Sequence, residues 1–448
     1  PYQLVLQPQF AFGLLLVLLL VYLGPSIKAR LVATGREVGY VRTDLYANTL
    51  KALGYTLLQS AKWPLLLWSF GQLFEQLDQE PELATALHSA FSRTAMYFWG
   101  LEFLRILLWP KGLFEAHFRW PQKRTAAIRR RVLRLEQTFL PAAVLVVFSL
   151  HLYPAEVGGP LAAVAVIMVL LSIAYFFHRM PHFIQGKMAM VLTDSSKMRS
   201  TALARFLREL LVWVPLATIV GVLFGYIYTA MEFSLLLIKS IVLFCVILLF
   251  YELGLRWLRM TRRRMVVKVR QEAARVSADD EAESTLDEEI LENDPELLND
   301  QGTKLLNVLI LIAGLAGILV IWAEVFPALG ILDSVQLWHQ TGVVDGREVP
   351  VPVTLKSVVV ALAVTVVGWL ALHRIPSLLE IFLRQKMNVR PATAYAATRV
   401  IQYAVTAALI ILVLGFLGGR WSQIQWAVAA LSLGIGFGLQ EIVANFIS

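Results

Sequence analysis

Cysteine is all but missing from this chain: Cys245 is the only one among 448 residues. It sits inside an apolar run, so neither a disulfide framework nor a thiolate metal site can be built. Charge is scarce too, at 16 % of residues against 58 % hydrophobic. Polar faces recurring at helical period, which a soluble protein of this size needs, are lacking. His88, His178 and His373 each stand apart from any second ligand at metal-binding spacing. No nucleophile sits at recognisable spacing from a base and no phosphate-cradling loop occurs, so the sequence reads as a non-enzyme with no cofactor and no metal.

What the sequence does contain is runs of about twenty apolar residues, the length that crosses a bilayer as a helix. Mean hydropathy is +0.65. The runs fall near 8–27, 52–74, 84–109, 135–153, 160–178, 209–231, 233–252, 305–327, 353–373, 398–417 and from 425 to the end. The first has no basic residue ahead of it and no small-x-small cleavage site, and reads as an anchor rather than a secretory leader. Pro64, Pro141 and Pro215 lie within or beside runs, where membrane helices tolerate them as kinks. The expected class is an all-α polytopic membrane protein with eleven transmembrane helices.

The connecting segments set the direction. Segments 24–51, 110–134, 179–208, 253–304 and 374–399 hold 33 Lys and Arg, whereas the alternate ones hold only Arg347 and Arg420. Under the positive-inside rule this places the amino terminus in the periplasm and the carboxyl terminus in the cytoplasm. It also accounts for the net charge of +8 without a nucleic-acid partner. Two of the cytoplasmic segments have a character of their own. Residues 261–304 open on Arg262–Arg264 and turn acidic from Asp279 to Asp300, the composition of a solvated linker. Within 374–397, Leu378, Leu379, Ile381 and Phe382 sit at helical spacing beside Arg384 and Lys386, which suits a helix in the headgroup plane.

The closing segment concentrates glycine where a helix ordinarily avoids it: Gly434, Gly436 and Gly438 fall in one short run. Each costs a helix interior ~1 kcal/mol relative to alanine, and close approach of backbones is what their missing side chains permit. On a helical wheel Ala429, Leu433, Phe437 and Gln440 or Glu441 share a stripe. Ala430, Gly434 and Gly438 form one flank, and Ser432 and Gly436 the other. Small residues on both flanks let a neighbour pack on each side, which builds a ring. Leu433 and Phe437 then face its axis, where apolar rings block ions by dewetting. The same spacing also fits a glycine-rich helix inside a single subunit's bundle. Glu441 belongs at a pore mouth, in a protein cleft or near the interface.

The run from Gln425-Trp426 through Leu433-Gly434-Ile-Gly-Phe-Gly-Leu-Gln440-Glu441 to Ala444-Asn445-Phe-Ile-Ser448 resembles the pore helix of the small-conductance mechanosensitive channel (MscS) family. Its long, many-span members, of the potassium-dependent (MscK) and miniconductance (MscM) types, are the most similar. Lys111-Gly-Leu-Phe-Glu-Ala-His-Phe-Arg-Trp-Pro121, Leu378-Leu-Glu380 and Ala392-Thr-Ala-Tyr-Ala396 extend the resemblance upstream. It implies a homoheptamer in a bacterial inner membrane, opened by tension, in contact with membrane lipids and passing ions. It implies a pore constriction at Leu433 and Phe437, with packing positions at Ala429, Ala430, Ser432, Gly434, Gly436 and Gly438. Gln440 and Glu441 would stand at the pore mouth. Glu441 occupies the place where the shortest members carry a hinge glycine, so the hinge is expected elsewhere.

The organisation expected is a peripheral membrane region over 1–260, the charged linker 261–304, paddle helices over 305–417 with the interfacial segment 374–397, and the pore helix 418–448. Because the sequence begins with Pro1 and stops within an apolar segment, a longer protein is expected, with a periplasmic domain ahead and a cytoplasmic vestibule behind. The competing reading is a secondary active transporter, which needs matched halves and a polar mid-membrane site. No matched halves are visible. Of the polar residues in or near spans (Lys62, Arg93, Glu102, Arg105, Lys239, Glu324 and Lys356), Glu102 and Arg105 are three apart and can pair across one turn.

Overall fold

The computed structural model describes residues 8–40, 44–75, 81–153, 159–179, 197–276, 295–325, 327–344, 347–386 and 391–418, with ten further positions between 425 and 440. These form two compact units, Pro1–Ile318 and Leu319–Ser448.

In the first unit, helix α1 (Pro8–Arg36) buries Gly13, Val17, Leu20, Gly24, Ile27 and Leu31. The spacing alternates four and three, so one narrow seam meets the neighbours and the rest of the surface stays apolar and outward, with Leu15 and Tyr22 at 64 % and 81 % exposure. That seam lies against α2 (Tyr46–Ser60) and α3 (Lys62–Gln72). A Cβ on Gly13 would collide with the Ser69 hydroxyl, so α1 and α3 approach more closely there than any side chain allows. The predicted span 52–74 is thus two helices, broken at Ala61, rather than one.

Helix α4 (Pro81–Leu107) runs back along α3 and then packs on α5 (Gln122–Leu152). Between them residues Leu113–His117 form a short π-helix. It is flanked by two non-glycine residues in the left-handed region, Lys111 at φ 56° and Arg119 at φ 62°. α5 buries Thr125, Ile128, Val132, Glu136 and Phe139 at three- and four-residue intervals, and carries Pro141 internally. α6 (Gly159–His178) packs on α5 and on α7 (Lys197–Leu223). α7 ends earlier than the predicted 231: the turn lies at Phe224–Tyr226, where Gly225 takes φ +90°. A side chain there would be strained, so the glycine, not the hydropathy profile, sets the break.

α8 (Ile227–Val276) is 50 residues long. Its first half is apolar and its second half carries Arg256, Arg259 and Arg262–Arg264. α9 (Pro295–Trp322) follows. A Cβ on Gly254 would lie 2.6 Å from Leu306, and one on Gly317 would lie 2.7 Å from Leu243, so α8 and α9 mesh leucine into glycine.

The second unit corrects the all-α expectation. Two short 3₁₀ helices, Ala323–Val325 and Pro327–Ser334, lead into an antiparallel hairpin of β1 (Gln336–Val344) and β2 (Arg347–Thr354), paired from Gln336↔Thr354 to Val344↔Arg347. Pro350 and Pro352 sit in β2, which a two-stranded sheet tolerates because both strands are edges. The signal was present as Asp345-Gly346, the strongest short hairpin dipeptide, between runs rich in β-branched residues. α10 (Leu355–Lys386) then runs unbroken through Pro376. The predicted span 353–373 and the first part of segment 374–397 are therefore one continuous helix. α11 (Pro391–Phe416) packs against α10.

Among the described residues, six helices are both long and apolar enough to cross a membrane, within Pro8–Arg36, Gln122–Leu152, Gly159–His178, Ile227–Arg264, Leu305–Trp322 and Thr393–Phe416.

Candidate functional site

Of the closing segment, the structure describes Gln425, Trp426, Val428, Ala429, Ala430, Ser432, Leu433, Gly434, Phe437 and Gln440. All are helical and all are exposed. Leu433 and Phe437 show 64 % and 68 % of their surface, and a Cβ on Gly434 would meet no atom within 4 Å. Small and apolar positions alike are therefore uncovered on the single chain, leaving a helix surface without a partner. Gly436, Gly438 and Glu441 lie outside the described residues.

A second constellation, unrecognised in the sequence, joins three connecting segments that are rich in Lys and Arg. Arg256 of α8, 4 % exposed, donates from Nη2 to Asp44 Oδ1 at 2.6 Å, from Nε to Thr49 Oγ1 at 2.5 Å and from Nη1 to the His117 carbonyl at 3.2 Å. Asp44 Oδ2 accepts the Gly39 amide at 3.0 Å. Asp44 and Arg256 are thus each held by several hydrogen bonds, the condition under which a buried ion pair is tolerated.

The hydrogen-bond network assigns the tautomer of His117. The Thr34 hydroxyl donates to the Leu31 carbonyl at 2.7 Å, so it can only accept from His117 Nε2, 3.4 Å away. Nε2 therefore carries the proton, and Nδ1 accepts from Thr49 Oγ1 at 3.2 Å, whose oxygen in turn receives Arg256 Nε–H. This chain has no place for a second imidazole proton. Burial, and then repulsion by Arg256 against a weaker pull from Asp44, lower the His117 pKa from 6.5 to about 4. Because the folded value lies below the unfolded one, the stabilisation is whole above pH 6.5 and is lost as pH falls from there towards 4. At about 1.4 kcal/mol per unit, acidification to pH 5 is expected to cost about 2 kcal/mol. Thermal unfolding of the detergent-solubilised protein at pH 7 and pH 5 measures it, and His117→Gln should flatten the difference.

The apolar surroundings explain why this polar group stays dry. Leu31, Leu107, Leu113, Phe114, Phe118, Trp120, Ile128 and Leu253 belong to one buried cluster about the π-helix. Phe114 meets Phe118 and Trp120 edge-on at 5.2 and 4.6 Å. Trp120 donates its indole N–H to Glu252 at 3.0 Å. His117 and Trp120 both belong to the stretch Lys111–Pro121, the one sequence signal that pointed here.

Glu102 and Arg105 do pair, at 2.5 Å through both carboxylate oxygens. The structure adds Glu136 from α5, whose Oε2 lies 3.4 Å from Arg105 Nε. One guanidinium thus serves two buried carboxylates, 2 % and 5 % exposed. Arg105→Met strands both, an expected loss of about 3–5 kcal/mol. Chemical denaturation in detergent checks this, and adding Glu102→Gln should return much of it. Of the other polar residues in spans, Arg93 and Lys239 face outward and Lys356 pairs with Asp333 at 2.7 Å beside the hairpin. His88 donates to the Gly71 carbonyl at 3.1 Å.

Comparison with known proteins places these features. The family model described as the mechanosensitive ion channel inner membrane domain 1 matches residues 8–338. The chain is 28 % identical to the miniconductance mechanosensitive channel MscM of Escherichia coli, over 96 % of this chain and 40 % of that protein. It is 28 % identical to the mechanosensitive channel MscK of the same organism, over 94 % and 37 %. An uncharacterized MscS family protein of Haemophilus influenzae is likewise 28 % identical, over 94 % and 38 %. The chain spans about two fifths of the length of these curated relatives.

Proposed function

This chain belongs to the family of the mechanosensitive ion channel inner membrane domain, and from that membership we propose that it is the membrane part of a tension-gated channel of the MscM and MscK type. It opens when osmotic swelling stretches a bacterial inner membrane, and releases ions and small solutes. Eleven spans cross the bilayer, with the amino terminus periplasmic and the carboxyl terminus cytoplasmic. Residues 1–260 form the peripheral membrane region, 261–304 the linker, 305–417 the paddle and 418–448 the pore helix.

The observation that carries this reading is the uncovered closing segment, with Leu433 and Phe437 exposed beside bare Ala429, Ala430, Ser432 and Gly434. An apolar helix with small flanks gains most by packing against copies of itself. In a ring of seven, Leu433 and Phe437 line the constriction, while Gly436 and Gly438 complete the flanks. Gln440 and Glu441 stand at the mouth. Tension favours the state of larger in-plane area, so the rings widen and wet. Native mass measurement of the full-length protein tests it: a heptamer supports the channel, and a solitary subunit defeats it.

A further inference from the structure

The Asp44–Arg256 joint opens outward onto a small pocket lined by Gly39, Tyr40, Asp44, Met260, Arg263 and Arg264. Its rim is crowded with like charge. Arg119 and Arg263 both lie near enough to Arg259 to repel its charge, and Arg119 Nη2 lies 3.3 Å from where a Gly39 Cβ would stand. Arg264 donates to the Asp44 carbonyl at 3.2 Å. The nearby carboxylates are engaged by other groups, Asp44 by Arg256, Glu252 by Trp120 and Arg259, and Glu37 by the Asn48 amide. Neither Arg119 nor Arg263 has an acidic partner among the described residues.

Arg119 is also held in place. It is exposed, at φ 62°, between Phe118 and Trp120, which are 3 % and 4 % exposed. The Trp120 amide bonds to the Phe114 carbonyl at 2.9 Å and the Phe118 amide to Leu113 at 3.2 Å. A left-handed arginine costs on the order of 1 kcal/mol, and such strain concentrates where a side chain must be aimed. Tyr40 and Trp257 stand exposed at 68 % and 53 %, the residue types that sit at headgroup depth. We propose that Arg119, Arg263 and Arg264 form a binding site for a phosphoryl anion, supplied by the headgroup of an anionic phospholipid. A planar guanidinium fork suits phosphate oxygens, and basic pockets beside membrane helices select anionic headgroups. The site rests on the proposed topology only for which leaflet supplies the lipid, and its test reads binding without gating.

The test is native mass spectrometry of the delipidated full-length protein titrated with phosphatidylglycerol, phosphatidylcholine or inorganic phosphate. Arg119→Gln/Arg263→Gln should weaken phosphatidylglycerol binding about tenfold or more, leaving phosphatidylcholine unchanged, whereas Arg119→Lys should weaken it less. An unchanged unfolding temperature shows the joint intact, and Arg263→Gln alone serves if the double variant unfolds. Millimolar inorganic phosphate that binds wild type, displaces the lipid and is lost in the variant would assign the site to a soluble phosphate compound instead. Equal binding of every probe by wild type and variants overturns the site.

Discussion

Asp44→Ala is expected to lower the unfolding free energy by about 3–5 kcal/mol, because it leaves Arg256 charged and buried without its counterion. The Arg256 side chain is only 5 % exposed, so water cannot replace the lost carboxylate. The Gly39 amide loses its acceptor in the same stroke. Arg256→Met should cost a similar amount, since it leaves the buried Asp44 carboxylate without its counterion although the Gly39 amide still bonds to it. The double variant should be milder than the sum of the two, as contacting residues are not additive. Equilibrium unfolding in detergent gives all four corners of this cycle. Additive losses would mean that the pair is held apart in solution and that the joint around α8 is not what binds α1, α2 and the π-helix together.

Phe437→Ser is expected to give a channel that leaks at rest. In the proposed ring the Phe437 side chains exclude water from the axis, and a hydroxyl at each copy wets it. Destabilising the closed state by even ~1.4 kcal/mol raises the open fraction about tenfold, and every subunit contributes its own substitution. Patch-clamp recording of the full-length channel should show openings at lower tension, and expressing cells should grow poorly. An unchanged threshold would remove Phe437 from the gate and leave Leu433 or another ring to account for closure. The two predictions are independent: Asp44→Ala acts on the fold of one subunit, whereas Phe437→Ser acts on what copies of the subunit enclose.

The local features were legible because they are written in neighbouring residues. Apolar runs announced helices, and α1, α6, α8, α9 and α11 overlap the runs near 8–27, 160–178, 233–252, 305–327 and 398–417. But α8 continues past 252 to Val276 and α9 starts at Pro295, so both reach into the segment 261–304 expected as a solvated linker. The Glu102–Arg105 pair is set by a three-residue spacing on one helix. The hairpin is legible in principle, through Asp345-Gly346, but sits in a short segment between apolar runs, where the hydropathy pattern does not mark it. The helix breaks at Ala61 and at 224–226 fell inside continuous hydropathy, which averages over the single residue, such as Gly225, that ends a helix.

By itself the sequence determined that this is a membrane protein, where most of its helices lie, and which residues of the closing segment are small and which apolar. Lipid accepts only backbones that satisfy their own hydrogen bonds, so hydrophobicity and length suffice for that much. Tertiary structure alone decided that Asp44 meets Arg256 across 212 positions of chain, that His117 is held neutral between two threonines, and that Glu136 joins Arg105. A buried charge takes its meaning from whatever the fold brings within a few ångströms of it, and the order of residues along a chain carries no record of that distance.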